Sequence, residues 1–243
     1  MRLLLICAAA LPLGACHASW EHHDNSGHAA QSSGPGAVRS YAATGFTGVD
    51  LRGSDDIHVK IGPTFAVQAE GNPKLLDQLD IRVDGETLRV GRKDHEGWNW
   101  SHDDSAKITV TMPRLLRASV AGSGNLDADA AEGDFDASVA GSGNLKVTQI
   151  KGGAVALSVA GSGDLQVAGS AAKLTANTAG SGDIDAKGLT ATSASVSIAG
   201  SGSVRGTVNG EASVSIIGSG DADLGGGAHC KVSSVGSGDA RCG

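Results

Sequence analysis

Asp164, Asp183, Asp221 and Asp239 each follow a Gly-Ser-Gly triplet, and Asn125, Asn144 and Ser203 occupy the same place after three further copies. Polar side chains repeated at nearly constant spacing suit two kinds of chemistry. Stacked carboxylates could share a cation such as Ca²⁺, since neighbours about 4.8 Å apart repel by roughly 1 kcal/mol in water. Two carboxyls about 5 to 9.5 Å apart also meet the distance requirement of glycoside hydrolysis. That reaction needs an acid and a base in different environments, whereas repeated copies offer nearly identical ones. The column is expected to be a corner first and a weak cation edge second, with no catalytic residue.

The least regular stretch, KDHEGWNWSHDDS from Lys93 to Ser105, contains two of the three tryptophans. Trp98 and Trp100 are candidates for contact with a glycan or an envelope or surface protein, because an indole supplies a large apolar face with one polar handle. Packing of both rings on the body of the fold is the competing reading. HEGWN is not a zinc-protease H-E-x-x-H, since Asn99 stands where the second His belongs.

A Gly-rich loop also invites a phosphate reading. No copy of the triplet has the third Gly of a dinucleotide fingerprint or the Lys of a P-loop, so nucleotide binding is excluded. The Ca²⁺-binding nonapeptide repeat differs too, because here Asp directly follows the second Gly and the period is about twice as long. No cofactor is implied.

The elements that position these residues follow from the period. The first Gly of each triplet falls at 122, 141, 161, 180, 200, 218 and 236. Two and four residues before it stand Val139 and Ala137, Val159 and Leu157, Ile198 and Val196. Four and six residues after it stand Leu126 and Ala128, Leu145 and Val147, Leu165 and Val167. Alternation of period two on both sides of a corner means two strands facing one interior, and a unit this short buries a core only by stacking. The fold class is all-β, a parallel β-helix or β-solenoid with 18–20-residue coils. The seven corners imply a rod on the order of 30 Å. Cys230 and Cys242 lie six residues either side of Gly236, both in the inward phase, and are expected to form a disulfide across the last coil.

Upstream, residues 41–117 alternate as short strands, with a helix capped by Asn72 and begun by Pro73, and a tight turn at Asp84-Gly85. Residues 41–243 are expected to form one β-solenoid domain, regular over 118–243. Residues 16–40, which are polar and include His17, His22, His23 and His28, are expected to be a flexible tether. MRLLLICAAALPLGAC has the charge, apolar run and small residues of a lipoprotein signal covering residues 1–15, with Cys16 as the acylated residue. Each buried acyl methylene would contribute about 0.8 kcal/mol to membrane attachment. Loss of Arg2 with that signal takes the formal net charge from −7 to −8, which excludes nucleic acid as a partner.

Taken together, GFTGVDLRGSDDIHVKIG, EGNPKLLDQLDIRVDGETLRVG, ITVTMPRLLRASVAGSGNL and the GSG-N/D corners resemble the bacterial family labelled "putative auto-transporter adhesin, head GIN domain". The resemblance covers about Gly45 to Gly243, less the tryptophan-bearing insertion. It implies an exported β-helical protein of the cell envelope with an adhesin-like or structural role, and it brings no catalytic motif. The expectation is therefore a lipid-anchored, non-enzymatic envelope protein, with the outer membrane favoured because His17 rather than Asp follows Cys16. A polysaccharide-binding or polysaccharide-processing β-helix is the alternative.

Overall fold

The computed structural model describes residues 27–33, 36–93 and 105–243. The N-terminal part contains β1 (His28–Ala29), β2 (Gln31–Ser33), β3 (Val38–Ala42), β4 (Gly48–Gly53), β5 (Asp56–Ile61), β6 (Ala66–Glu70), α1 (Pro73–Gln78), β7 (Leu79–Asp84), β8 (Thr87–Arg92) and β9 (Lys107–Met112). The repeats contain β10 (Arg117–Gly122), β11 (Asn125–Glu132), β12 (Phe135–Gly141), β13 (Asn144–Lys151), β14 (Ala154–Gly161), β15 (Leu165–Gly180), β16 (Ile184–Gly200), β17 (Val204–Val208), β18 (Glu211–Gly218), β19 (Ala222–Gly226), β20 (His229–Gly236) and β21 (Ala240–Cys242).

Apart from β1, β2, β3, β6 and β7, these strands stack in parallel as two layers of a β-solenoid. Strands that lead into a corner run in the order β8, β4, β10, β12, β14, the second halves of β15 and β16, then β18 and β20. Strands that leave the corner run β9, β5, β11, β13, the first halves of β15 and β16, then β17, β19 and β21. The core lies between the layers. Val120, Val139, Val159, Ile198 and Ile216 before the corner, and Leu126, Leu145, Leu165, Ile184 and Val204 after it, are at most 1% exposed. Burying an aliphatic side chain of this size contributes about 1.5–3 kcal/mol, and the repeat supplies one such pair per coil. In the fourth coil Thr178 takes the inward place, and its hydroxyl donates to the Gly182 carbonyl at 2.9 Å, so the buried polar group is satisfied.

Spatial order differs from chain order at the start of the rod. β4 and β5 are not the outermost rung; β8 and β9 lie outside them, and β10 and β11 inside. The outer rung is in turn covered by antiparallel strands, β7 on β8 and then β1, and β6 on β9 followed by β3 and β2. α1 adds to this cap as its sequence implies: the Asn72 side chain accepts from the Lys74 amide at 3.0 Å, and Leu75 and Leu76 are buried. Burial beside it raises the Tyr41 hydroxyl above its ordinary 10.0, against the opposing pull of Arg39.

Two boundaries differ from expectation. The expected tether does not extend to residue 40, because β1, β2 and the start of β3 already pair with the cap. Those strands lack an apolar alternation and are held by backbone hydrogen bonds, so periodicity does not reveal them. In the hairpin, Asp84 pairs with Thr87, which moves the two-residue turn from Asp84-Gly85 to Gly85-Glu86. Gly85 has a φ of +57°, as such a turn requires.

Candidate functional site

At each corner the chain folds onto the corner below it. The Ser142 and Gly143 amides both donate to the Gly122 carbonyl at 2.9 Å, and Ser162 and Gly163 donate in the same way to Gly141. This explains both glycines. The first, Gly141, has a φ of +121°, and a Cβ on the second, Gly143, would lie 2.2 Å from the Gly124 carbonyl oxygen. The motif is a stacking corner, with its amides used by the neighbouring coil.

The residue after the triplet completes the corner. Asp164 Oδ1 accepts from the Asp183 amide at 3.1 Å, Asp183 Oδ1 from Ser203 at 2.7 Å, and Asp221 Oδ1 from Asp239 at 2.9 Å. Asn144 does the same for Asp164, and its own side-chain amide donates to Asn125 Oδ1. Asp164, Asp183, Asp221 and Asp239 thus share one column, and three of them hold the next rung through the same oxygen. Arg205 lies 3.4 Å from Asp183 Oδ2 and offsets part of the charge there. Among the described residues no group of three or more His, Cys, Asp or Glu side chains gathers to hold a metal ion.

The column also reaches upstream of the seven triplets. Asn125 donates to Asp56 Oδ1 at 2.9 Å, and Gly122 pairs with Gly53, so Gly53-Ser54-Asp55-Asp56 is an eighth corner in which Asp55 replaces the second Gly. Asp55 is fully buried. Its carboxylate accepts from Arg92 at 2.8 and 3.2 Å and from the Ala106 amide at 2.8 Å. Arg92 ends β8, and Ala106 immediately precedes β9. One carboxylate therefore clamps the end of β8 to the start of β9 in the outermost rung. The sequence signal was the quartet GSDD at Gly53 to Asp56, which differs from the GSG-D corner at Asp55 alone.

Trp98 and Trp100, like the lipidation candidate Cys16, lie outside the described residues. Beside the clamp, a polar hollow of about 510 Å³ is lined by Asp56, His58, Lys60, Glu70, Lys107 and Asp127. The two outer faces of the rod differ. Beyond the corner, Asp127, Lys146, Gln166, Asp185, Arg205, Asp223 and Arg241 form one register column of nearly alternating charge. Before the corner, Ser138, Ser158, Asn177, Ser197, Ser215 and Ser233 form an uncharged column. Cys230 and Cys242 are disulfide-bonded with their Cα atoms 6.2 Å apart, as their shared phase implied.

Residues 45–228 match the family described as "Putative auto-transporter adhesin, head GIN domain". The chain belongs to this family. The solved structures similar to this head GIN domain include a putative adhesin from Bacteroides fragilis, with 20% identity, a TM-score of 0.76, and coverage of 84% of this chain and 95% of that one. A putative lipid binding protein from Parabacteroides distasonis has 22% identity and a TM-score of 0.66, covering 85% and 96%. A putative adhesin from Parabacteroides merdae has 17% identity and a TM-score of 0.63, covering 85% and 95%. At these identities the likeness is one of fold. No curated protein matches the chain.

Proposed function

We propose that this head GIN domain is a non-enzymatic, adhesin-like binding scaffold of the bacterial cell envelope. Acyl chains on Cys16 hold it to the membrane, with the outer membrane as its site, and it presents its surfaces to an envelope partner or glycan. The observation that carries this reading is the use made of the acidic column. Its carboxylates repeat one environment and accept backbone amides of the next coil, an arrangement that joins rungs and offers no separate acid and base. Family membership supports the adhesin-like role.

The contact is assigned to Trp98 and Trp100 together with the polar hollow beside the Asp55 clamp. The Asp55 clamp supports this placement, because it fixes where their segment leaves and rejoins the rod, next to Asp56 and Lys107 of that hollow. Aromatic faces beside hydrogen-bonding groups suit a sugar or a protein surface. The test is glycan-array and envelope-fraction binding by the protein and by a Trp98→Ala, Trp100→Ala double variant. Loss of binding with an unchanged circular-dichroism spectrum and melting is expected. Full binding by the double variant would remove the assignment, and turnover of a bound polysaccharide would replace the scaffold with an enzyme.

A further inference from the structure

The two ends of the solenoid are finished differently. The outermost N-terminal rung is covered by antiparallel strands, whereas β20 and β21 pair, among the described residues, with β18 and β19 on their inner edges. Among the described residues no strand pairs with their outer edges. This last rung also lies beyond residue 228, where the family match stops. β20 has eight residues and no proline, and its unpaired amides and carbonyls form a ready template for another strand.

Its side chains add an apolar surface. Val232 continues the inward column but is 50% exposed, whereas its register neighbour Val214 is 1% exposed. The outward place just before the corner glycine is Ala at 121, 140, 160, 179 and 199, then becomes Ile217 and Val235, which are 60% and 68% exposed. A shallow hollow between the two edges is lined by Cys230, Val232, Ala240 and Cys242.

We infer that this rung is a self-association surface, on which a second copy of the chain docks end to end about a two-fold axis through Val232 and Ala240. The Cys230–Cys242 bond sets these two residues opposite each other, two positions along each strand from the crosslink. In the docked pair β20 runs antiparallel to β20 of the second copy, and β21 to β21. Val232 then meets Val232, and the core continues from one copy into the other. Lys231 faces Ser233 and His229 faces Val235. On the other layer Arg241 faces Asp239 of the second copy, and symmetry makes this ion pair twice.

Charge selects that register. Shifting the axis one residue toward the corner sets Asp239 against Asp239; shifting it one residue away sets Lys231 against Lys231 and Arg241 against Arg241. Like charges directly opposite each other disfavour both. An unrelated extended peptide could pair with β20, but it would not satisfy both edges and both Asp239–Arg241 pairs together. An interface one rung in area is small for a stable dimer, so the association is a concentration-dependent equilibrium.

Sedimentation equilibrium of the purified protein tests this. The wild type should fit a monomer–dimer equilibrium, and Arg241→Asp should raise the dissociation constant on the order of tenfold. Combining Arg241→Asp with Asp239→Arg should restore it, and Val232→Lys, which places two ammonium groups on the axis, should abolish the dimer. Circular dichroism and disulfide content report whether each variant remains folded. A wild type that stays monomeric at every attainable concentration overturns the proposal. So does an Arg241→Asp variant that dimerises like the wild type, or a charge-swapped variant that fails to recover.

Discussion

Asp55 shows how much one side chain can change at a repeated position. Every later corner has Gly in its place because the neighbouring coil's carbonyl leaves no room for a Cβ, as the 2.2 Å approach at Gly143 illustrates. At Gly53-Ser54-Asp55-Asp56 the outer neighbour has no Gly-Ser-Gly corner, and the carboxylate occupies that side, bonded to Arg92 and Ala106. A buried charge is tolerated when it is paired and fully hydrogen-bonded, and breaking such a pair costs about 3–5 kcal/mol. Asp55→Ala is accordingly expected to lower unfolding stability by about that amount in denaturant titration. Asp183→Ala, at a half-buried corner position and losing the bond from the Ser203 amide, should cost about 1 kcal/mol in the same measurement. Equal losses at the two sites would contradict the assignment of Asp55 as the clamp.

A coil is the smallest unit that closes a layer of core, and each depends on its neighbours for backbone pairing on two edges. Among the described residues the last coil has one neighbour only, and its inward residues Val232 and Ser234 are exposed. The disulfide compensates by joining the two strands of that coil across a sequence separation of 12. Closing a loop of this size contributes about 3 kcal/mol on the chain-entropy estimate. Replacing both Cys230 and Cys242 by Ser is expected to speed hydrogen exchange across residues 229–242 while leaving the central coils protected, since unfolding free energy varies along a stacked repeat. Uniformly faster exchange throughout the rod would show that the crosslink supports the whole solenoid rather than its terminal coil.

Among the described residues the molecule is a rod with one capped end, a last rung paired on its inner edges, a nearly alternating charged column on one layer, an uncharged Ser and Asn column on the other, and a corner edge of Asn, Asp and Ser. Because the edge carboxylates accept amides from successive coils, adding Ca²⁺ should leave the thermal midpoint unchanged. A midpoint that climbs with Ca²⁺ concentration, as linkage requires of any ligand that prefers the native state, would assign a cation to Asp164, Asp183, Asp221 and Asp239. The seven corners, the inward aliphatic columns and the Cys230–Cys242 pairing were legible in the sequence, because a strand period of two and a coil period near 19 are local counts that survive without coordinates. The order of the first rungs was not, since β4, β8 and β10 present similar alternating patterns, and only pairing decides that β4 lies between the other two. Nor was the role of Asp55, whose partners are 37 and 51 residues away and meet it only through that insertion of one rung between two others. The local period determined that the chain would coil; long-range pairing decided how the coil begins, in what order its first rungs stack, and what joins the end of β8 to the start of β9.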